Sequence, residues 1–141
     1  MKSIVVFRSE AFDHSRPKDG SDPNAIPLGR DLADYLKTKL AERSIPVRNP
    51  IQGTDGWVVD GDLQNIPFSL FVHWAPIGTP PSDHWVIQPQ VRRGFLKTLF
   101  EPRKPSVELE PVISNLASLL SEDTRISDLT WMDEAEFASV Y

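Results

Sequence analysis

Three histidines occur in the chain, and two of them belong to a repeated His-Trp pair: "FVHWAPIGTPPSDHWV", residues 71–86, carries His73-Trp74 and His84-Trp85. Two imidazoles so placed are the residue types for a shared metal ion or for acid–base work. If the strands flanking the loop 75–83 pair as a symmetric hairpin, residues whose numbers sum to 157 are opposite, so His73 faces His84 and Val72 faces Trp85. Directly opposed Cβ atoms lie about 4.5 to 5.5 Å apart. A metal site needs a third ligand, and His14 or Asp13 on the N-terminal loop is the economical source. The set His14, His73 and His84 would then serve a small metal-dependent hydrolase. The spacing matches no known ligand motif, and a simpler reading competes with it. On this register the histidines share a face with Ser69 and Gln88, away from the row Phe68, Leu70 and Val72. That face is expected to be half exposed, and the histidines then frame a loop.

Other catalytic patterns are missing. There is no Gly-x-Ser-x-Gly elbow, and neither a glycine-rich phosphate loop nor a His-Glu-x-x-His helix occurs. Asp60 and Asp62 form a carboxylate pair, but Asp60-Gly61 reads as a solvated turn. With no cysteine, neither a disulfide framework nor a thiolate metal site is open to the chain. No cofactor is expected.

The aromatic residues point to binding instead. Of four tryptophans, Trp57 and Trp131 fall at expected strand ends, while Trp74 and Trp85 flank the proline-rich loop. Tryptophan buries large areas, so most should be core; one left exposed beside Ile77, Pro80 and Pro81 would be an interface anchor. The partner-binding candidates are therefore Trp74, Ile77, Pro80, Pro81 and Trp85, with Arg92 and Arg93 at the start of a basic run. That run, "RRGFLKTLFEPRK" (92–104), has five basic residues and one acid, whereas 122–136 has six acids and one arginine. Oppositely charged patches can steer association with a charged partner.

The elements that must position these residues are legible from periodicity. "SIVVF" (3–7) reads as a buried strand. Residues 9–27, rich in Asp, Ser, Gly and Pro, read as a long loop of the kind that often binds something. In "LGRDLADYLKTKLAERS" (28–44), Leu28, Leu32, Leu36 and Leu40 recur every four residues and make one apolar helical stripe. "GTDGWVVDGDLQNIPFSLFVHW" predicts two strands reversing at Asp60-Gly61, and "HWVIQPQV" (84–91) a returning strand with Pro89 at an edge or early end. The second helix is expected over 105–123, with Ser106 as cap, Pro111 near the first turn and a stripe of Leu109, Val112, Ile113, Leu116 and Leu120. "RISDLTW" (125–131) predicts a last strand.

Strands joined by short turns imply an antiparallel sheet, and two one-sided helices imply that one face is covered. The expected fold is α+β, a two-layer sandwich of a mainly antiparallel sheet with two helices on one face. Residues 1–131 form the single domain, and 132–141 an acidic C-terminal tail whose order the sequence leaves open. The 141-residue length suits one domain with a real core. A net charge of −5 argues against nucleic-acid binding driven by many phosphate contacts, despite Arg92, Arg93, Lys97, Arg103 and Lys104. No run reaches the ~20 apolar residues of a membrane span, and four apolar residues after Lys2 and Ser3 are too few for a signal peptide. A cytoplasmic setting and no membrane partner are expected; oligomeric state stays open.

The run "GRDLADYLKTKLAERSIPV", then "TDGWVVD", then "DHWVI", and a C-terminal helix leading to "ISDLTW", resembles small bacterial single-domain proteins with a Gly-x-Asp-Leu-Ala helix and a Trp-terminated last strand. The likeness spans roughly residues 28–131; it departs at Ser44, where glycine is commoner, and at Asp55-Gly56-Trp57, which lacks a first tryptophan. Proteins of this style resemble cytoplasmic immunity proteins of bacterial toxin systems. The resemblance implies a binding role, with a toxin as protein partner, and transfers no catalytic residue.

Overall fold

A computed structural model describes residues 2–13, 26–92 and 107–141. The elements in chain order are β1 (Ile4–Ser9), α1 (Arg30–Glu42), β2 (Ile51–Gln52), β3 (Trp57–Leu63), β4 (Ile66–Ile77), β5 (Ser82–Val91), a 3-10 turn (Val107–Leu109), α2 (Glu110–Ser121), β6 (Ile126–Met132) and α3 (Glu134–Val140). The six strands form one sheet in the order β2-β3-β4-β5-β1-β6, and every pairing is antiparallel. The class is therefore α+β.

Alternation along the strands sends two sets of side chains to opposite faces. Val5, Phe7, Val59, Phe68, Leu70, Val72, Trp85 and Ile87 join one core cluster with Leu32, Ala33, Leu36 and Leu40 of α1 and Val112, Leu116, Leu119 and Leu120 of α2. The leucine stripe read from sequence is what α1 buries, and Leu28, just before it, packs half-buried on the same cluster. The opposite parity is not bare. Ile4, Val6, Ala75, Ile77 and Val86 form a second cluster with Phe137 of α3.

Helix α1 ends in a Schellman motif: Ile45 N–H donates to Leu40 O at 2.9 Å and Ser44 N–H to Ala41 O at 3.0 Å. Ser44 itself takes the left-handed conformation, φ 62°. This is the position at which glycine is favoured.

Two turns differ from expectation. The β3–β4 reversal falls at Gln64-Asn65, both at positive φ (52° and 66°), where a two-residue connection closes Leu63 onto Ile66. Asp60 and Gly61 lie within β3, paired with Ser69 and Phe68. Gly61 is needed for closeness: a Cβ there would come within 2.6 Å of Val47 Cγ1 and 2.8 Å of Phe68 Cζ. The sequence mistook a packing glycine for a turn glycine. The second difference is in the hairpin, where β4 runs on through Pro76 to Ile77, leaving only residues 78–81 as the turn.

Pro67 stands near the start of β4 as expected. Pro89 is buried within β5, opposite Leu70 of β4 and beyond the last β1 pairing of Val5 with Ile87, so β5 is already at the end of its pairing with β1 there. Residues 132–141 are not a detached tail: Asp133 caps α3 by accepting from Glu136 N–H while the Glu136 side chain accepts from Asp133 N–H, a full capping box.

Candidate functional site

The observed register pairs residues summing to 159: His73 lies opposite Val86, Trp74 opposite Trp85, and Ala75 opposite His84. This corrects the expected His73–His84 pair. The two-residue shift keeps both imidazoles on one face, since side-chain period is two, but makes them diagonal rather than direct neighbours. His84 Nδ1 instead engages Ser82 O at 2.7 Å. Among the described residues no three His, Asp or Glu side chains converge as a metal site; His14 lies outside those residues. The shared-metal reading loses the cross-strand pair on which it stood.

His73 is not a half-exposed surface group either. It is 7% exposed, its ring 4.8 Å from Phe71 and about 6.4 Å from Phe137 and 6.3 Å from Tyr141, both edge-on. Its Nε2 has no hydrogen-bond partner among the described residues. Burial holds its pKa below the usual histidine value, against a hydrogen bond to the Trp74 backbone and the attraction of Asp55, which push the other way.

The expected partner-binding residues separate by burial. Trp85 is 2% exposed, in the main core, with Nε1 donating to Ser9 O at 3.3 Å. Ile77 is 7% exposed, in the second cluster. Neither has a surface to offer in the folded chain. Trp74 is half-buried against the main core. Arg92 is held by Asp60 and Asp62 at 3.7 and 3.5 Å, so those carboxylates belong to an ion-pair network on β3, which Arg48 extends by reaching Asp62 at 3.4 Å. Arg93 and the rest of the 93–104 run lie outside the described residues. Among the described members of the set, Pro80 and Pro81 are the exposed ones.

These prolines do not stand by themselves. Gly78 N–H reaches Val140 O at 3.5 Å, so the hairpin turn meets the last turn of α3. Val140 is 37% and Tyr141 66% exposed, and Tyr141 stacks on Phe137 at 5.1 Å. The result is one edge on which Pro80, Pro81, Val140 and Tyr141 are open, with Ile77 and Phe137 buried beneath. Asp133, Glu134 and Glu136 give this helix three acids and no base. Val140 and Tyr141 escaped the sequence reading, although "DEAEF" carried a signal: Asp133-x-x-Glu136 is a capping box, and Phe137 and Tyr141 are spaced to meet on one helical face.

A second polar cluster lies between α1 and the α2–β6 turn. Tyr35 hydroxyl donates to Asp123 Oδ2 at 2.8 Å, and Arg125 grips the same carboxylate through Nε at 3.0 Å and a second guanidinium nitrogen at 2.8 Å. Burial, then Asp123, raise the Tyr35 phenol to about 12, while Arg125 holds the Asp123 carboxyl well below its ordinary value. A shallow groove of about 330 Å³ beside it is lined by Lys39, Glu42, Arg43 and Glu122 among others. Its charges already pair within the chain: Arg43 with Glu122 at 3.0 Å and Lys39 with Glu42 at 3.7 Å. The arrangement ties α1 to the start of β6.

Comparison with models of protein families, with curated proteins and with solved structures finds no match to this chain.

Proposed function

We propose that this chain is a non-enzymatic protein-binding module of the bacterial immunity type, which acts in the cytoplasm by holding a toxin through the hairpin tip and the end of α3. In this reading the sandwich, with α1 and α2 on one face, is a scaffold, and α3 on the other face completes the docking edge. The observation that carries it is the junction of Gly78 with Val140, which joins exposed Pro80, Pro81, Val140 and Tyr141 into a single surface. Prolines present apolar area with little entropy left to lose on binding, and tyrosine is enriched among residues that dominate interface energy. Acids on α3 and the chain's net charge of −5 favour a partner with a basic surface.

Protection tests the proposal. Cells expressing the product of the neighbouring gene should survive when this chain is co-expressed, and lose that protection when Pro81→Lys and Tyr141→Ala are combined. Survival unaffected by the intact chain, with both proteins present at normal levels, would contradict it.

A further inference from the structure

The second face of the sheet holds an unusual pairing of chemistry: a buried imidazole at the edge of the apolar cluster that seats a helix of seven residues. Phe137 and Tyr141, stacked on each other, approach the His73 ring edge-on, while Phe71 lies against it within the strand. The approach from the β2–β3 turn is equally tight, since a Cβ on Gly56 would sit 2.9 Å from His73 Cβ. At 7% exposure the ring leaves an imidazolium little contact with solvent, and Nε2 has no hydrogen-bond partner among the described residues. A second N–H on this ring would therefore be buried unpaired, a costly state that undocking the helix relieves.

We infer that α3 is an acid-released latch: with His73 neutral the Phe137–Tyr141 pair docks on the sheet, and protonation of His73 undocks the helix and bares Phe71, Ala75, Ile77 and Val86. The inference rests on the packing around His73 and not on the proposed partner.

Among the described residues, each element packed against His73 brings its own charged or titratable groups. The β2–β3 turn brings Asp55, whose attraction opposes burial without cancelling it. From β5 come Val86, directly opposite, and His84 on the diagonal, engaged with Ser82 O. From α3 come the phenol of Tyr141 and the acids Glu134 and Glu136, of which Glu136 pairs with Lys2 at 3.3 Å. The sign follows from linkage: the docked state has the lower His73 pKa, so the undocked state binds more protons. Docking is strongest above about pH 6.5, the ordinary histidine value, and the docked-to-undocked ratio falls by up to ~tenfold per pH unit below it.

The test is an NMR titration from pH 8 to 5 that follows the His73 imidazole and the amides of 134–141 in the intact chain, in His73→Gln and in Phe137→Ala. The intact chain should show a His73 midpoint below about 6.5, with the 134–141 amides moving together toward disordered shifts as His73 protonates. His73→Gln should abolish that movement. Phe137→Ala should show an undocked helix already at pH 8 and return the His73 midpoint to the ordinary value. The inference is overturned if the amides stay still while His73 titrates, if their movement persists in His73→Gln, or if Phe137→Ala leaves the His73 midpoint unchanged. Should His73→Gln fail to fold, the Phe137→Ala arm decides alone.

Discussion

Replacing Gly56 by alanine probes how closely the turn before β3 presses on the sheet. The added Cβ would lie 2.2 Å from Val72 O and 2.9 Å from His73 Cβ, both under the 3.0 Å that real Cβ contacts respect. Neither side can yield cheaply. Val72 is fully buried in the central strand β4, paired with Trp57 on one side and Ile87 on the other. On the turn's side, Trp57 is fixed by its Nε1, which donates to Pro27 O at 2.9 Å. Relieving a clash of this depth requires backbone movement, and overpacking that shifts backbone costs roughly 2–3 kcal/mol. For a domain of this size that is a drop on the order of 1 M in the urea midpoint, with the slope unchanged. Urea unfolding followed by tryptophan fluorescence reads it directly. Gly53→Ala is the control, because its Cβ would come no nearer than 3.3 Å to Gly56 O and 4.0 Å to Gly56 C; its loss should stay within about 1 kcal/mol. A Gly56→Ala midpoint within error of the unsubstituted chain would refute the packing described for this turn.

Four further outcomes are expected. Ser44→Gly should raise stability by about 0.5–1 kcal/mol, because φ 62° costs a serine what it does not cost a glycine; an unchanged or lower urea midpoint would show that the serine is not strained there. Asp123→Asn should lower the Tyr35 phenol from about 12 toward, but not to, its ordinary 10, since burial remains, and ultraviolet titration measures this. The same substitution bears on acid stability: Asp123 has a depressed folded pKa, so its contribution is present above the ordinary carboxylate range and lost as pH falls. Asp123→Asn should accordingly flatten the acid side of the stability profile; an unaltered profile would remove Asp123 from that role. Asp133→Ala breaks the capping box, and amide exchange should quicken over 134–141 while the β1 and β4 amides keep their protection.

The sequence was most readable where burial imposes a period. The leucines of α1 and the stripe of α2 were placed correctly because one buried face admits few alternatives, and the alternation of Phe68, Leu70 and Val72 assigned the strand's inner face for the same reason. Turns were harder. Asp60-Gly61 has the composition of a reversal, yet Gly61 is required by the approach of Val47 and Phe68, a contact between distant residues that no local pattern encodes. The hairpin register failed by two because Pro76 looked like loop, whereas β4 carries it opposite Asp83. That error preserved the faces of His73 and His84 but not their pairing. Burial of His73 was invisible because it depends on α3, and α3 depends on a capping box within ten residues that composition marks only as acidic.

The docking edge is measured most directly by calorimetric titration of the purified chain with the product of the neighbouring gene. The intact chain should bind it in a defined stoichiometry, and Tyr141→Ala with Pro81→Lys should weaken binding at least tenfold, about 1.4 kcal/mol, without moving the urea midpoint of the sheet. Binding unaltered by that pair of substitutions, or no binding by the intact chain, would contradict it.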